Sequence, residues 1–119
     1  RGIQLVLVVD SPMLARKPLE CRRSTGAPAV SCAPEPAVTA AMQRTVRATL
    51  EAAAAGLPNV HVFDPTPYLV DGEGRVLDRR PDGTPLFADN HHLSVSGSRS
   101  LAEPFERFLT QAGLVPAGR

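Results

Sequence analysis

Two of the chain's three histidines stand beside a carboxylate in the run Leu86-Phe87-Ala88-Asp89-Asn90-His91-His92-Leu93-Ser94-Val95-Ser96-Gly97-Ser98. An aspartate three residues ahead of a histidine in a loop can curl back and accept a hydrogen bond from the imidazole Nδ1. That pairing fixes the tautomer and leaves Nε2 free as a general base. The spacing alone is common, and a surface turn leading into a helix N-cap at Ser94 accounts for it as well. Asp89, His91 and His92 are also metal-ligand types. Adjacent histidines on a short loop rarely converge on one ion, and no Cys or Glu joins them at ligand spacing, so no metal is expected. Ser94, Ser96 and Ser98 are poor nucleophile candidates, because a nucleophile normally faces its base from a separate element. They read as caps of the helix that follows.

The elements that must position this loop can be traced along the chain. Ile3-Gln4-Leu5-Val6-Leu7-Val8-Val9 is apolar without two-residue alternation, which suits a parallel strand buried on both faces. Asp10-Ser11-Pro12 ends it. Ligand crevices form at strand C-termini in open parallel sheets, so this turn is either a site wall or a plain strand end. It is expected on the same sheet edge as His92. Residues 13–36, with four prolines and both cysteines, form a long surface excursion. From about Glu35 to Ala55 the pattern is helical, with Val38, Met42, Val46, Leu50 and Ala53 on one face, then Gly56 and Pro58 as stops. Val60-His61-Val62-Phe63-Asp64 is a second strand. It completes a βαβ unit over residues 3–64, expected to be right-handed. A lone histidine such as His61 on a strand reads as structural.

Tyr68 to Leu77 reads as a hairpin around Asp71-Gly72-Glu73-Gly74, and Pro81-Asp82-Gly83-Thr84-Pro85 as a further turn. A final helix covers roughly 94–112, with Leu101, Phe105, Phe108 and Leu109 apolar and Gly113 as its stop. Pro104 within it demands either a start near Ser100 or a kink.

Composition narrows the function classes. The chain has 119 residues, enough for one core. A hydrophobic fraction of 43% and a charged fraction of 21% describe an ordinary globular chain, not a disordered tail. Thirteen basic residues against twelve acidic ones give +1, so no broad pull toward nucleic acid or anionic lipid is expected. The Leu5–Val9 run is too short to span a bilayer. A buried-type strand begins within three residues of Arg1, so the chain is expected to be the C-terminal part of a larger unit.

The pattern apolar-aromatic-x-Asp-x-x-His-Leu-Ser-x-x-Gly-Ser, followed by a helix with Leu and Phe facing in, resembles the last motif block of SGNH hydrolases. It is most similar to the SGNH domains fused behind acyltransferase-3 membrane proteins, which O-acetylate bacterial surface glycans. The order of strand, cysteine-bearing loop, helix, second strand and hairpin extends the likeness over nearly the whole chain. The resemblance implies an α/β fold, a three-layer αβα, flavodoxin-like parallel sheet of which this chain is the C-terminal portion. It implies His92 as catalytic base and Asp89 as its orienting carboxylate. The family's nucleophilic serine lies in a Gly-Asp-Ser turn near the start of its domain, and its Gly and Asn oxyanion donors come from intermediate blocks. The chain has no Gly-Asp-Ser, and its only asparagines are Asn59 and Asn90. Those parts are expected upstream.

The activity so implied is acyl-ester chemistry through an acyl-serine, with O-acetyl transfer to a surface carbohydrate. A secreted esterase and a catalytically silent glycan-binding domain are the rivals. No cofactor is implied. The partners would be an acyl donor, a glycan acceptor, the upstream part of the domain and a membrane acyltransferase domain, on the extracytoplasmic side. Cys21 and Cys32, in one proline-rich loop without Cys-x-x-Cys, argue for a disulfide staple over a redox or zinc site. Free thiols in a cytosolic protein are the alternative. Relatives often carry a second cysteine pair near the hairpin; Leu69 and Val70 occupy that region here.

Overall fold

The computed structural model describes residues 2–21 and 31–118. Part of the predicted excursion, residues 22–30, therefore lies outside the described residues. The β-branched runs pair as expected of parallel strands: β1 (Leu5–Val8) lies beside β2 (Val60–Phe63), with Leu5 opposite Val60 and Val8 opposite Phe63. The ladder extends by one bond at each end, Leu5 N to Asn59 O and Val9 N to Phe63 O, both 2.9 Å. The result is an α/β arrangement with a two-stranded parallel sheet.

Burial of β1 on both faces is not what the described residues show. Leu5 and Val8 are about half exposed, and only Val9, just past the strand, is fully buried. Covering both faces takes flanking strands and a second helical layer, which these residues do not supply.

The connecting helix α1 (Pro36–Ala54) has proline in its first turn, where no N–H is needed, and Gly56 beyond its end at φ +75°. Its orientation corrects the sequence reading. The stripe expected to face inward is largely open, with Val38 49% and Met42 45% exposed. The positions buried in the helix are Thr39 and Gln43. The reason is what lies opposite: this face meets strand ends and turns whose carbonyls and hydroxyls need donors, and an amide side chain satisfies them.

After β2, Pro65 caps a short 3₁₀ turn, Thr66–Tyr68, with Pro67 inside it, so Tyr68 is not part of a strand. The expected hairpin is reduced to one antiparallel bridge, Val70 with Val76. Its turn is held by Asp71, whose Oδ1 accepts the N–H groups of Glu73 and Arg75, both at 2.9 Å. The final helix is two: α2 (Val95–Ser100) and α3 (Ala102–Gln111), broken at Leu101. Pro104 thus falls in the first turn of α3, where a missing N–H costs no helical bond.

Two apolar clusters anchor these pieces. Leu14, Cys21, Cys32, Val76, Leu86 and Phe87 form one, and within it Cys21 and Cys32 are disulfide-bonded with Cα atoms 5.5 Å apart. In the other, Phe63 of β2 meets Phe105 and Phe108 of α3 at ring separations of 5.1 and 5.2 Å.

Candidate active site

Residues 86–94 form a loop drawn closed at its base. Phe87 and Leu93 make an antiparallel bridge, Ala88 N donates to His92 O at 2.8 Å, and Ser94 N donates to Leu86 O at 3.0 Å. Leu86 and Phe87 are buried, so the base is pinned in the core while the tip faces solvent. Ser94 ends the loop by capping α2: its Oγ accepts from Gly97 N at 3.0 Å and donates to Pro85 O at 2.7 Å. Both bonds occupy the hydroxyl structurally, consistent with its reading as a cap.

At the tip, Asp89 curls forward onto the two histidines. Its Oδ1 accepts the backbone N–H groups of His91 (2.8 Å) and His92 (2.7 Å), which locks the carboxylate in place. Its Oδ2 then lies 2.7 Å from His92 Nδ1. With Nδ1–H donating to the carboxylate, Nε2 is the unprotonated, acceptor nitrogen of the neutral ring. The His92 side chain is 67% exposed, and Nε2 has no hydrogen-bond partner among the described residues. These bonds hold the Asp89 carboxyl well below the usual carboxylate range: the His91 N–H contributes most, then the His92 ring, then the His92 N–H. The same bonds favour the ionised, accepting form of Asp89.

His91 sits differently. Its Nδ1 lies 3.0 Å from Asn90 Oδ1 and 3.4 Å from Asp89 Oδ1, and its ring is tilted 44° against that of His92 at 4.0 Å. Ligand-type atoms of Asp89, His91 and His92 fall within 4.8 Å of one another. The fit to a metal is poor on donor chemistry, because both Asp89 oxygens already accept N–H groups and His92 Nδ1 faces one of them.

The turn after β1 abuts this loop. Leu14 N donates to Asn90 O at 2.7 Å, and Ser11 Oγ lies 3.5 Å from His91 O. A cavity of about 340 Å³ between them is walled by Val9, Asp10, Ser11, Pro65 and Leu93. Behind the turn, the buried Gln43 amide donates to Asp10 O at 2.7 Å and to Thr66 Oγ1 at 2.9 Å, tying α1 to the loops after both strands. Sequence reasoning missed Gln43. The available signal was weak: one amide among alanines, one helical turn beyond Thr39. His61 Nε2 lies 3.0 Å from Oε1 of Gln4, the residue just ahead of β1, a contact beside the sheet rather than at the loop.

The family model for the SGNH domain (fused to AT3 domains) matches residues 1–107, and the chain belongs to that family. No curated protein and no solved structure matches it.

Proposed function

We propose that this SGNH-family chain supplies the base and the orienting carboxylate of a Ser-His-Asp triad that performs acyl-ester chemistry on carbohydrate, with O-acetyl transfer as the reaction. The observation that carries this reading is the 2.7 Å contact from Asp89 Oδ2 to His92 Nδ1, with Nε2 turned outward. The nucleophilic serine and the oxyanion donors come from a segment preceding the chain. Nε2 takes the serine proton as Oγ attacks the acetyl carbonyl, and the donor's leaving oxygen recovers that proton as the tetrahedral adduct collapses. In the second half, Nε2 takes the proton of the acceptor sugar hydroxyl, whose oxygen attacks the acetyl-serine; the serine oxygen leaves protonated. Asp89 remains ionised throughout and stabilises the imidazolium formed in each half. The chemistry needs no cofactor.

The disulfide supports an extracytoplasmic setting, since such bonds persist in oxidising compartments. No helix among the described residues is long and apolar enough to cross a membrane. A membrane acyltransferase domain would be a separate part of the parent protein and would deliver the acetyl group.

The test offers 4-nitrophenyl acetate to this chain joined to the serine-bearing segment of its parent. His92→Ala loses about three or more orders of magnitude in kcat, Asp89→Ala loses less, and His91→Ala stays near the parent value. The chain by itself turns over little, because covalent attack and oxyanion stabilisation supply most of such a rate. Full activity of the joined His92→Ala protein overturns the triad. A folded joined protein with no turnover at all favours the glycan-binding rival.

A further inference from the structure

A second cavity, of about 470 Å³, opens where the arm of residues 68–85 meets the end of α2, and no step above uses its polar groups. Its walls include Tyr68, Leu77, Arg79, Arg80, Leu86 and Ser100. The size falls in the range of small-ligand sites, about 300–1,000 Å³. Leu86, at the base of the loop carrying Asp89 and His92, lies in its wall. Tyr68 is half exposed, so its ring can still be covered.

The polar side-chain groups are two guanidiniums and two hydroxyls, those of Tyr68 and Ser100, with no carboxylate in the wall. Backbone bonds hold both arginines. Arg79 pairs with Pro85 in an antiparallel bridge, while Arg80 N donates to Thr84 O and Arg80 O accepts from Gly83 N, both at 2.9 Å. Arg79 is partly neutralised, its Nε 3.8 Å from Asp78 Oδ2 and its Nη1 3.5 Å from Gly83 O. Arg80 meets no carboxylate within 4.0 Å among the described residues, and Asp82 feels it only as a minor attraction. Its Nη2 donates to Ser96 O at 3.4 Å, which steadies the head and leaves its other N–H groups to a ligand. Ser100 Oγ donates to Gly97 O at 2.6 Å and keeps lone pairs for an incoming hydroxyl.

We infer that this cavity binds an acidic sugar residue of the acceptor glycan, its carboxylate on the Arg80 guanidinium and its ring against Tyr68. The inference rests on the glycan-directed reading above and names the class of acceptor. A planar guanidinium presents N–H groups in the geometry a carboxylate accepts. An aromatic wall suits the C–H face of a pyranose, and Leu77 and Leu86 give the cavity an apolar floor beneath it. A neutral sugar is a worse match, because it leaves the Arg80 guanidinium without a counter-charge.

The test is an NMR amide titration of the 119-residue chain with tetragalacturonate and with its fully methyl-esterified form, which keeps the rings and removes the charge. Tetragalacturonate moves the Leu77, Arg79, Arg80 and Leu86 amides saturably, the ester binds about tenfold or more weakly, and added salt weakens the acid alone. Arg80→Gln loses about tenfold or more for the acid, and Tyr68→Ala weakens both ligands. Equal binding of acid and ester overturns the inference, as do shifts centred elsewhere or none at millimolar oligosaccharide. These measurements read binding to a chain without the serine, so they can fail while the triad stands; the His92→Ala experiment can fail while this cavity stands.

Discussion

Gly97→Ala should unseat α2 from the loop that carries Asp89 and His92. A Cβ built on Gly97 would stand 2.0 Å from Leu86 O, 3.0 Å from Leu86 C and 3.3 Å from Leu93 Cβ. The first distance falls short of ordinary contact by more than 1 Å, and the obstacle is backbone. That carbonyl cannot retreat cheaply, because it accepts Ser94 N–H at the base of the loop and belongs to a residue in the core cluster. Helix propensity pulls the other way, favouring alanine over glycine by about 0.8–1.0 kcal/mol. Overpacking against a fixed group costs about 1–3 kcal/mol, and losing the Ser94 cap adds about 1 kcal/mol. The clash wins, for a net destabilisation of about 2 kcal/mol. Urea unfolding followed by circular dichroism measures the global term. The carboxylate-bound Nδ1 proton of His92, seen by NMR, reports the loop directly and should broaden or vanish. An alanine variant at least as stable as its parent, with that proton unchanged, would refute the seating of α2 against Leu86.

Two further outcomes follow from the same loop and its anchor. Asp89 has a folded-state pKa pushed down by the three N–H groups it accepts, so the stability it contributes is present above the ordinary carboxylate value of about 3.9 and is lost as pH falls through the lower folded value. Its side-chain carboxyl ¹³C shift should therefore titrate below that reference, and a midpoint at or above it would dismiss the hydrogen-bonded geometry. The Cys21–Cys32 bond closes a short loop, 11 residues in separation, so Cys32→Ser should lower stability by about 2–3 kcal/mol. Intact mass after alkylation should show no adduct before reduction and two after it; two adducts on the unreduced chain would exclude the bridge.

How much of this could be read from the residues depends on whether an interaction is local. The Asp89–His92 pairing spans three positions and a single turn, so residue types and spacing were enough to nominate it. A helix start near Ser100 was also legible, because Pro104 favours a first turn and α3 begins at Ala102, but the separate short helix α2 ahead of it was not. The orientation of α1 was not. Periodicity says that Val38, Met42 and Val46 share a face, but it cannot say which face meets the sheet. Here the partner surface is made of strand ends, and Gln43 satisfies their polar groups, while the apolar stripe stays open among the described residues.

The same distinction explains why the site's placement was harder to see than its chemistry. The loop tip is joined to the rest of the chain by backbone groups: Leu14 N on Asn90 O, and Ser11 Oγ near His91 O, contacts across nearly eighty residues with no side-chain signature at the receiving end. Gln43 holds the other side of that turn through Asp10 O. Gly97 holds α2 close to Leu86 without a positive φ, so its need for glycine comes from approach rather than conformation and looks in sequence like an ordinary helix weakness. The motif residues thus specify what proton chemistry is possible. Residues that take no part in that proton chemistry, Gln43 outside the motif and Gly97 within it, hold the elements that set where His92 Nε2 stands. A misplacement of about 1 Å can cost a hundredfold in rate, so changes at those two positions should affect turnover out of proportion to their distance from the reacting atoms.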